Sequence, residues 1–110
     1  MSNSWMTVCP AEDLVPDSGV CALHEGEQVA IFREAITDEV FAISNFDPFS
    51  EANVLSRGII GSIGDDLVVA SPIYKQHFCL RTGVCIEDSE QKLKTYPVRI
   101  SQGELQLKVG

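Results

Sequence analysis

Long apolar runs are missing from this chain: no stretch approaches the roughly 20 residues that a membrane-spanning helix requires. The opening MSNSWMTVCP has no basic segment leading into an apolar one, so no secretory signal is expected and a cytoplasmic location follows. Basic residues are scarce, 8 against 16 acidic ones, for a formal net charge of −8. Nucleic acid and anionic membranes are bound mainly through Lys and Arg, and this balance excludes both as partners. The acids are spread along the chain and read as a solvated surface, or as an acidic face that steers a basic patch on a protein partner. No C-x-x-C pair joins the four cysteines Cys9, Cys21, Cys79 and Cys85, and reduced thiols are expected in a cytosolic setting. A G-x-G-x-x-G nucleotide loop is absent, as are internal repeats, linkers and any long helical periodicity.

What remains is a chain of 110 residues, 45% of them hydrophobic, long enough for one compact domain over residues 1–110 without covalent staples. Short strands separated by turn signals fill it. Trp5 to Cys9 reads as a strand stopped by Pro10, and residues 11–14 as one helical turn. Val20 to His24 and Gln28 to Arg33 form a hairpin about Glu25, Gly26 and Glu27. In its second strand Val29 and Ile31 share one face, Ala30 and Phe32 the other. Both faces are apolar, which predicts burial on two sides. Val40 to Ile43, Ile59 and Ile60, Leu67 to Ala70 and His77 to Leu80 are further short strands, the last returning through Arg81, Thr82 and Gly83 to Val84–Ile86. Tyr96, Val98 and Ile100 alternate, Gln102 and Gly103 turn, and Leu105, Leu107 and Val109 alternate back. The fold class expected is all-β, a small sandwich or barrel of antiparallel sheets.

Two segments lack periodicity, residues 45–58 and 71–76, and loops of this kind inside small domains are usually tied to function. The first runs Asn45, Phe46, Asp47, Pro48, Phe49 and then Val54, Leu55, Ser56, Arg57, Gly58. The second runs Ser71, Pro72, Ile73, Tyr74, Lys75, Gln76 and leads through His77 and Phe78 into Thr82 and Gly83. Together they resemble the two cluster-binding loops of Rieske ferredoxins, with Pro48, Pro72, Phe78, Thr82 and Gly83 at framework positions. The fold this implies is the Rieske-like stack of antiparallel sheets. The resemblance places Asp47 and Phe49 at the first Cys and His ligands, and Ser71 and Tyr74 at the second pair. A Rieske centre needs two thiolates and two imidazoles. Phe49 has no donor atom, Asp47 and Ser71 offer hard oxygen, and Tyr74 could bind iron only as a phenolate. No cofactor, metal or catalytic centre is therefore expected on this chain.

The D-P-F, V-L-S-R-G and S-P-x-Y-K-Q-x-F strings, here Asp47–Phe49, Val54–Gly58 and Ser71–Phe78, are similar to those of the small subunits of assimilatory NAD(P)H-dependent nitrite reductases. That resemblance implies an accessory subunit of an oxidoreductase complex that reduces nitrite to ammonium. It places FAD, a 4Fe-4S cluster and sirohaem on a large flavoprotein partner. The competing reading is a stand-alone cluster-less adaptor on the same frame.

Asp47 could serve as a general base or metal ligand, or organise its own turn by accepting backbone N–H groups. Phe49 and Tyr74 either fill the volume of the lost cluster or present an aromatic docking patch. Ser71 has no His and acid nearby to make it a nucleophile. Arg57, Lys75 and Arg81 are basic groups on or beside the loops of an acidic protein, and either mark the docking face or are unconnected surface charges. A three-residue loop at Arg81–Gly83 would set Cys79 opposite Cys85, beside His77, for a disulfide, a metal site or buried free thiols. His24, at a hairpin end, is expected on the surface.

Overall fold

In the computed structural model, which describes residues 4–109, the chain runs through twelve short strands and two 3₁₀ turns. Strand β1 (Ser4–Pro10) ends where proline removes a backbone donor, and a 3₁₀ turn (Ala11–Asp13) follows. β2 (Gly19–His24) and β3 (Glu27–Arg33) form the expected hairpin. Its two turn residues, Glu25 and Gly26, have φ of 53° and 82°, the left-handed pair that matches the twist of a two-residue hairpin. β4 (Val40–Ser44) lies on the other side of β3, and the two-residue β10 (Thr95–Tyr96) extends this sheet beyond β4.

β3 is buried on both faces, as its composition predicts, and the fold is organised around it. Ala30 and Phe32 point into a core with Phe41, Ile43, Leu55, Val69, Phe78 and Leu80. Val29 and Ile31 point the opposite way, into a second core with Leu14, Ala42, Tyr96, Leu105 and Leu107. The second core is closed by a sheet of β1, β12 (Glu104–Val109) and β11 (Val98–Ser101), in that order. The first is closed by β7 (Ile59–Ile63), β8 (Asp66–Ala70) and β9 (His77–Cys79). Three antiparallel sheets therefore stack, with the β2–β3–β4–β10 sheet in the middle. No helix among the described residues is long and apolar enough to cross a membrane.

Four local expectations change. The alternation from Tyr96 to Ile100 is two strands, because Pro97 has no N–H to continue one ladder. Tyr96 pairs with Ala42 in the middle sheet, and Val98 pairs with Leu107 in the next. The turn after β9 holds four residues: Cys79 donates its N–H to the Val84 carbonyl, and Gly83 donates to Cys79. Cys85 consequently opposes Phe78, not Cys79, and all four cysteines are unpaired. His24 is buried, 7% exposed, with its ring edge-on to Tyr96 at 5.8 Å between centroids. Burial, together with hydrogen bonding to Glu27, pushes the Tyr96 hydroxyl up to about 12. Residues 45–58 are more ordered than their lack of periodicity suggests, containing β5 (Phe46–Asp47), β6 (Ala52–Asn53) and a 3₁₀ turn (Leu55–Arg57).

Candidate functional site

Asn45 explains that order. Its side chain is buried, and its Oδ1 accepts the Ser56 N–H at 2.6 Å while its Nδ2 donates to Gln28 Oε1 at 3.0 Å. Its carbonyl accepts the N–H groups of both Val54 and Leu55, and its own N–H donates to the Gln28 carbonyl. One short amide thus closes the loop at both ends and ties it to β3. Sequence reasoning passed over Asn45; the available signal was an amide, both donor and acceptor, between a strand and an Asp-Pro turn.

Four loops share one construction. In residues 34–39, 47–52, 71–76 and 79–84, the fifth residue donates its N–H to the carbonyl of the first, as Asp38 to Glu34, Glu51 to Asp47, Lys75 to Ser71 and Gly83 to Cys79. That fifth residue has positive φ in each: 63° at Asp38, 57° at Glu51, 68° at Lys75 and 79° at Gly83. In three of them the first side chain also accepts the N–H two residues on, Glu34 from Ile36, Asp47 from Phe49 and Ser71 from Ile73. Those hydrogen bonds hold the Glu34 carboxyl below its usual range, chiefly through Ile36 and then Thr37. The proline after Asp47 and after Ser71 fixes φ for the start of the turn.

The two loops carrying the resemblance meet through their first residues. Asp47 and Ser71 are fully buried, and the Ser71 hydroxyl donates to Asp47 Oδ2 at 2.5 Å while Asp47 Oδ1 accepts the Phe49 N–H at 2.9 Å. Asp47 is therefore engaged in loop organisation, in accord with the turn-forming role. Phe49 is half-buried on the first core, 6.2 Å from Phe78 between ring centroids, and acts as a plug under the loop. Tyr74 does not join it: 60% exposed, it stands out at the tip of the second loop with Ile73, 45% exposed.

The donor set does not suit a Rieske cluster. Where the resemblance puts two thiolates stand a carboxylate and a hydroxyl bonded to each other; where it puts two imidazoles stand a hydrocarbon ring and an outward phenol. Among the described residues, no three His, Cys, Asp or Glu side chains are grouped to hold a metal ion. His77 is engaged elsewhere, its backbone N–H and ring Nδ1 both meeting the Glu87 carboxylate, at 2.8 and 2.6 Å. Burial opposes ionisation of Glu87, but the bonds from His77 outweigh it and hold the carboxyl below its usual range. Burial pushes the Cys85 thiol up, away from the reactive thiolate.

The three expected docking cations divide. Arg81 is paired with Glu39 at 2.6 Å and lies over the Phe41 ring, 5.2 Å from its centroid. Among the described residues no carboxylate lies within ion-pairing reach of Arg57 or Lys75, and both are exposed. Gly58 brings Arg57 close to the second loop, since its backbone packs on the Ala70 carbonyl so tightly that a Cβ would collide there.

Residues 4–108 match the Rieske-like 2Fe-2S domain family. The nitrite reductase (NADH) small subunit of Salmonella typhimurium is 51% identical over 106 residues, spanning 96% of this chain and 98% of that protein. This chain is a nitrite reductase small-subunit family member. The solution structure of the Escherichia coli protein NirD superposes with a TM-score of 0.90 at 50% identity, covering 100% of this chain and 99% of that one. A third relative is organised differently. The NAD(P)H nitrite reductase large subunit of Klebsiella oxytoca is 38% identical over 104 residues, which are 94% of this chain but 11% of that protein. The chain thus matches a Rieske-like domain and a nitrite reductase small subunit over nearly the same residues.

Proposed function

We propose that this chain is the small accessory subunit of a cytoplasmic NAD(P)H-dependent nitrite reductase, which reduces nitrite to ammonium in nitrate assimilation. Residues 1–110 act as one Rieske-like domain without a cluster. FAD, the 4Fe-4S cluster and sirohaem belong to the large subunit in this reading, and this chain contributes recognition in place of electron transfer. The observation that carries it is the Klebsiella relative, in which a domain like this one is continuous with a large subunit of the same enzyme. Two such parts on one polypeptide in one organism are expected to pair as separate chains in another. The engagement of Asp47 with Ser71 supports the cluster-less role, because restoring a ligand set would break the contact between the loops. Candidate partner-facing residues are Arg57, Lys75 and Tyr74, with Phe49 beneath them; Arg81 contributes less, being paired with Glu39.

The test is to co-express the chain with the large sirohaem flavoprotein subunit and follow size-exclusion elution, with iron and acid-labile sulfide measured on the small chain alone. Co-elution at a fixed ratio, with no stoichiometric iron on the small chain, is the expected result. Separate elution across a range of micromolar concentrations overturns the pairing, and one 2Fe-2S cluster per chain overturns the cluster-less reading.

A further inference from the structure

The sheet of β7, β8 and β9 has one face in the first core and one facing outward. Ile60, Val69 and Phe78 are cross-strand neighbours on the inner face. Ile59, Ala70 and His77 form the next row, and by alternation they point outward, with Gly61, Val68 and Cys79 in the row beyond and Ile63 after that. An outward row on a solvated sheet is ordinarily polar. Here its exposed members at the edge strand β7 are apolar, Ile59 at 74% and Ile63 at 40% exposed, while Val68 and Cys79 behind them are buried. Between them lies a shallow depression of about 150 Å³, lined by Ile59, Gly61, Ile63, Val68, Ala70 and His77. Gly61 leaves its floor open, since nothing lies within 4 Å of where its Cβ would be.

The surface continues into the second loop. Ala70 leads directly into residues 71–76, whose tip exposes Ile73 and Tyr74. The charges around it are arranged by end. At the Ile59 end stand Arg57 and Lys75, neither within reach of a carboxylate among the described residues. At the far end Asp66 lies across from Ile63, and Glu87 closes the third side by binding His77. In a protein of net charge −8, an apolar strip ending in two unneutralised cations is distinctive. Exposed apolar patches of this kind on small proteins mark contact surfaces.

The geometry points to the outer face of β7–β8–β9, centred on Ile59 and running onto Tyr74, as the surface that binds the large nitrite reductase subunit. This rests on the pairing proposed above. The complementary surface is apolar at its centre and carries carboxylates where it meets Arg57 and Lys75. The large subunit is the occupant chosen because the Klebsiella relative carries this domain on the same polypeptide as the rest of that subunit, so the domain has that partner beside it. The face is not the junction of Asp47 and Ser71, which is buried under the loops.

The experiment titrates the full-length chain into purified large subunit and reads Kd for wild type, Ile59→Asp and Ile100→Asp. Ile59 is 74% exposed, whereas Ile100, on β11 in the opposite outer sheet, is 36% exposed and lies across from the buried Leu105, so thermal melts of both variants come first and only folded protein is titrated. Ile59→Ala, which adds no charge, serves as the milder second variant. Expected are a loss of about tenfold or more for Ile59→Asp, a smaller loss for Ile59→Ala, and less than about twofold for Ile100→Asp. Equal weakening by Ile59→Asp and Ile100→Asp overturns the surface. So does wild-type affinity in both Ile59 variants, and that result leaves the pairing of subunits standing. No binding by the wild type overturns the pairing and this surface with it.

Discussion

At the scale of single residues, Asp47 and Ser71 hold two loops together, where the Rieske resemblance would put metal ligands. The means are different: one hydroxyl-to-carboxylate bond, buried, with the other carboxylate oxygen turned to the Phe49 N–H. Asp47→Ala strands the buried Ser71 hydroxyl and the part-buried Phe49 N–H and is expected to cost about 1–3 kcal/mol of unfolding free energy. Ser71→Ala removes a donor to one oxygen of Asp47 and the longer bond from the Ile73 N–H, beside the exposed loop tip, and costs less. The double variant loses less than the sum of the two, with a coupling of about 1 kcal/mol, because each single change already breaks the shared bond. Urea unfolding of the four proteins checks this, and strict additivity would show that the loops do not communicate through these side chains. The expectation that these two positions stand in for cluster ligands comes from the sequence alone, through the prolines that follow them. That Asp47 would face Ser71 does not, because the residues are 24 apart and nothing local records the contact.

At the scale of elements, four loops of one design place a left-handed residue at their fifth position, and only one of the four uses glycine. Asp38, Glu51 and Lys75 adopt that conformation against intrinsic preference, held by the N–H bond back to the first residue of each loop. Their strain could not be anticipated from the sequence, since residue type gives no cue at Glu51 or Lys75. Gly83 was legible as part of a Thr-Gly turn, and the structure adds why a side chain is excluded. A Cβ there would run into the Leu93 backbone, whose N–H also donates to the Gly83 carbonyl. Gly103 has a similar φ of 77° but open space around it. Gly103→Ala is expected to cost about 1 kcal/mol, from the backbone conformation alone. Gly83→Ala adds the collision and is expected to cost at least about 3 kcal/mol. Denaturant midpoints compare them, and equal losses would show that the Leu93 contact yields freely.

At the scale of the whole molecule, the three-sheet stack leaves its charge unevenly distributed, with Arg57 and Lys75 out of reach of any carboxylate among the described residues, beside the second loop of an acidic protein. Reversing either to Glu places a negative charge where the partner is expected to be acidic. Each reversal is expected to weaken binding to the large subunit about fivefold, roughly 1 kcal/mol, at low salt. The difference from wild type shrinks as ionic strength rises and screens the rim charges. Arg81→Glu provides the contrast, acting mainly on the fold because it sets two carboxylates, its own and that of Glu39, against each other. Affinity and thermal melting measured on the same samples separate the two effects. Unchanged affinity for both Arg57→Glu and Lys75→Glu removes the loops from the interface.

The expectation of a chain without a cluster comes from the sequence, because it depends on which atoms a side chain possesses: a phenyl ring cannot ligate iron in any conformation. Strand identity and the double burial of β3 were equally accessible, since period and apolarity are local properties. Tertiary structure alone decided which strands share a sheet, as at Pro97, and which side of β9 faces Cys85. It alone revealed that Asn45 closes a 14-residue segment numbered 45–58, that Tyr74 stands outward while Phe49 packs inward, and that the outer row of β7 is apolar. Each of those depends on what lies across from a residue in space, and neighbours distant along the chain leave no mark on local pattern. Side-chain chemistry thus sets the expectation of a chain without a cluster, and the stacked sheets tell where a partner is to be sought.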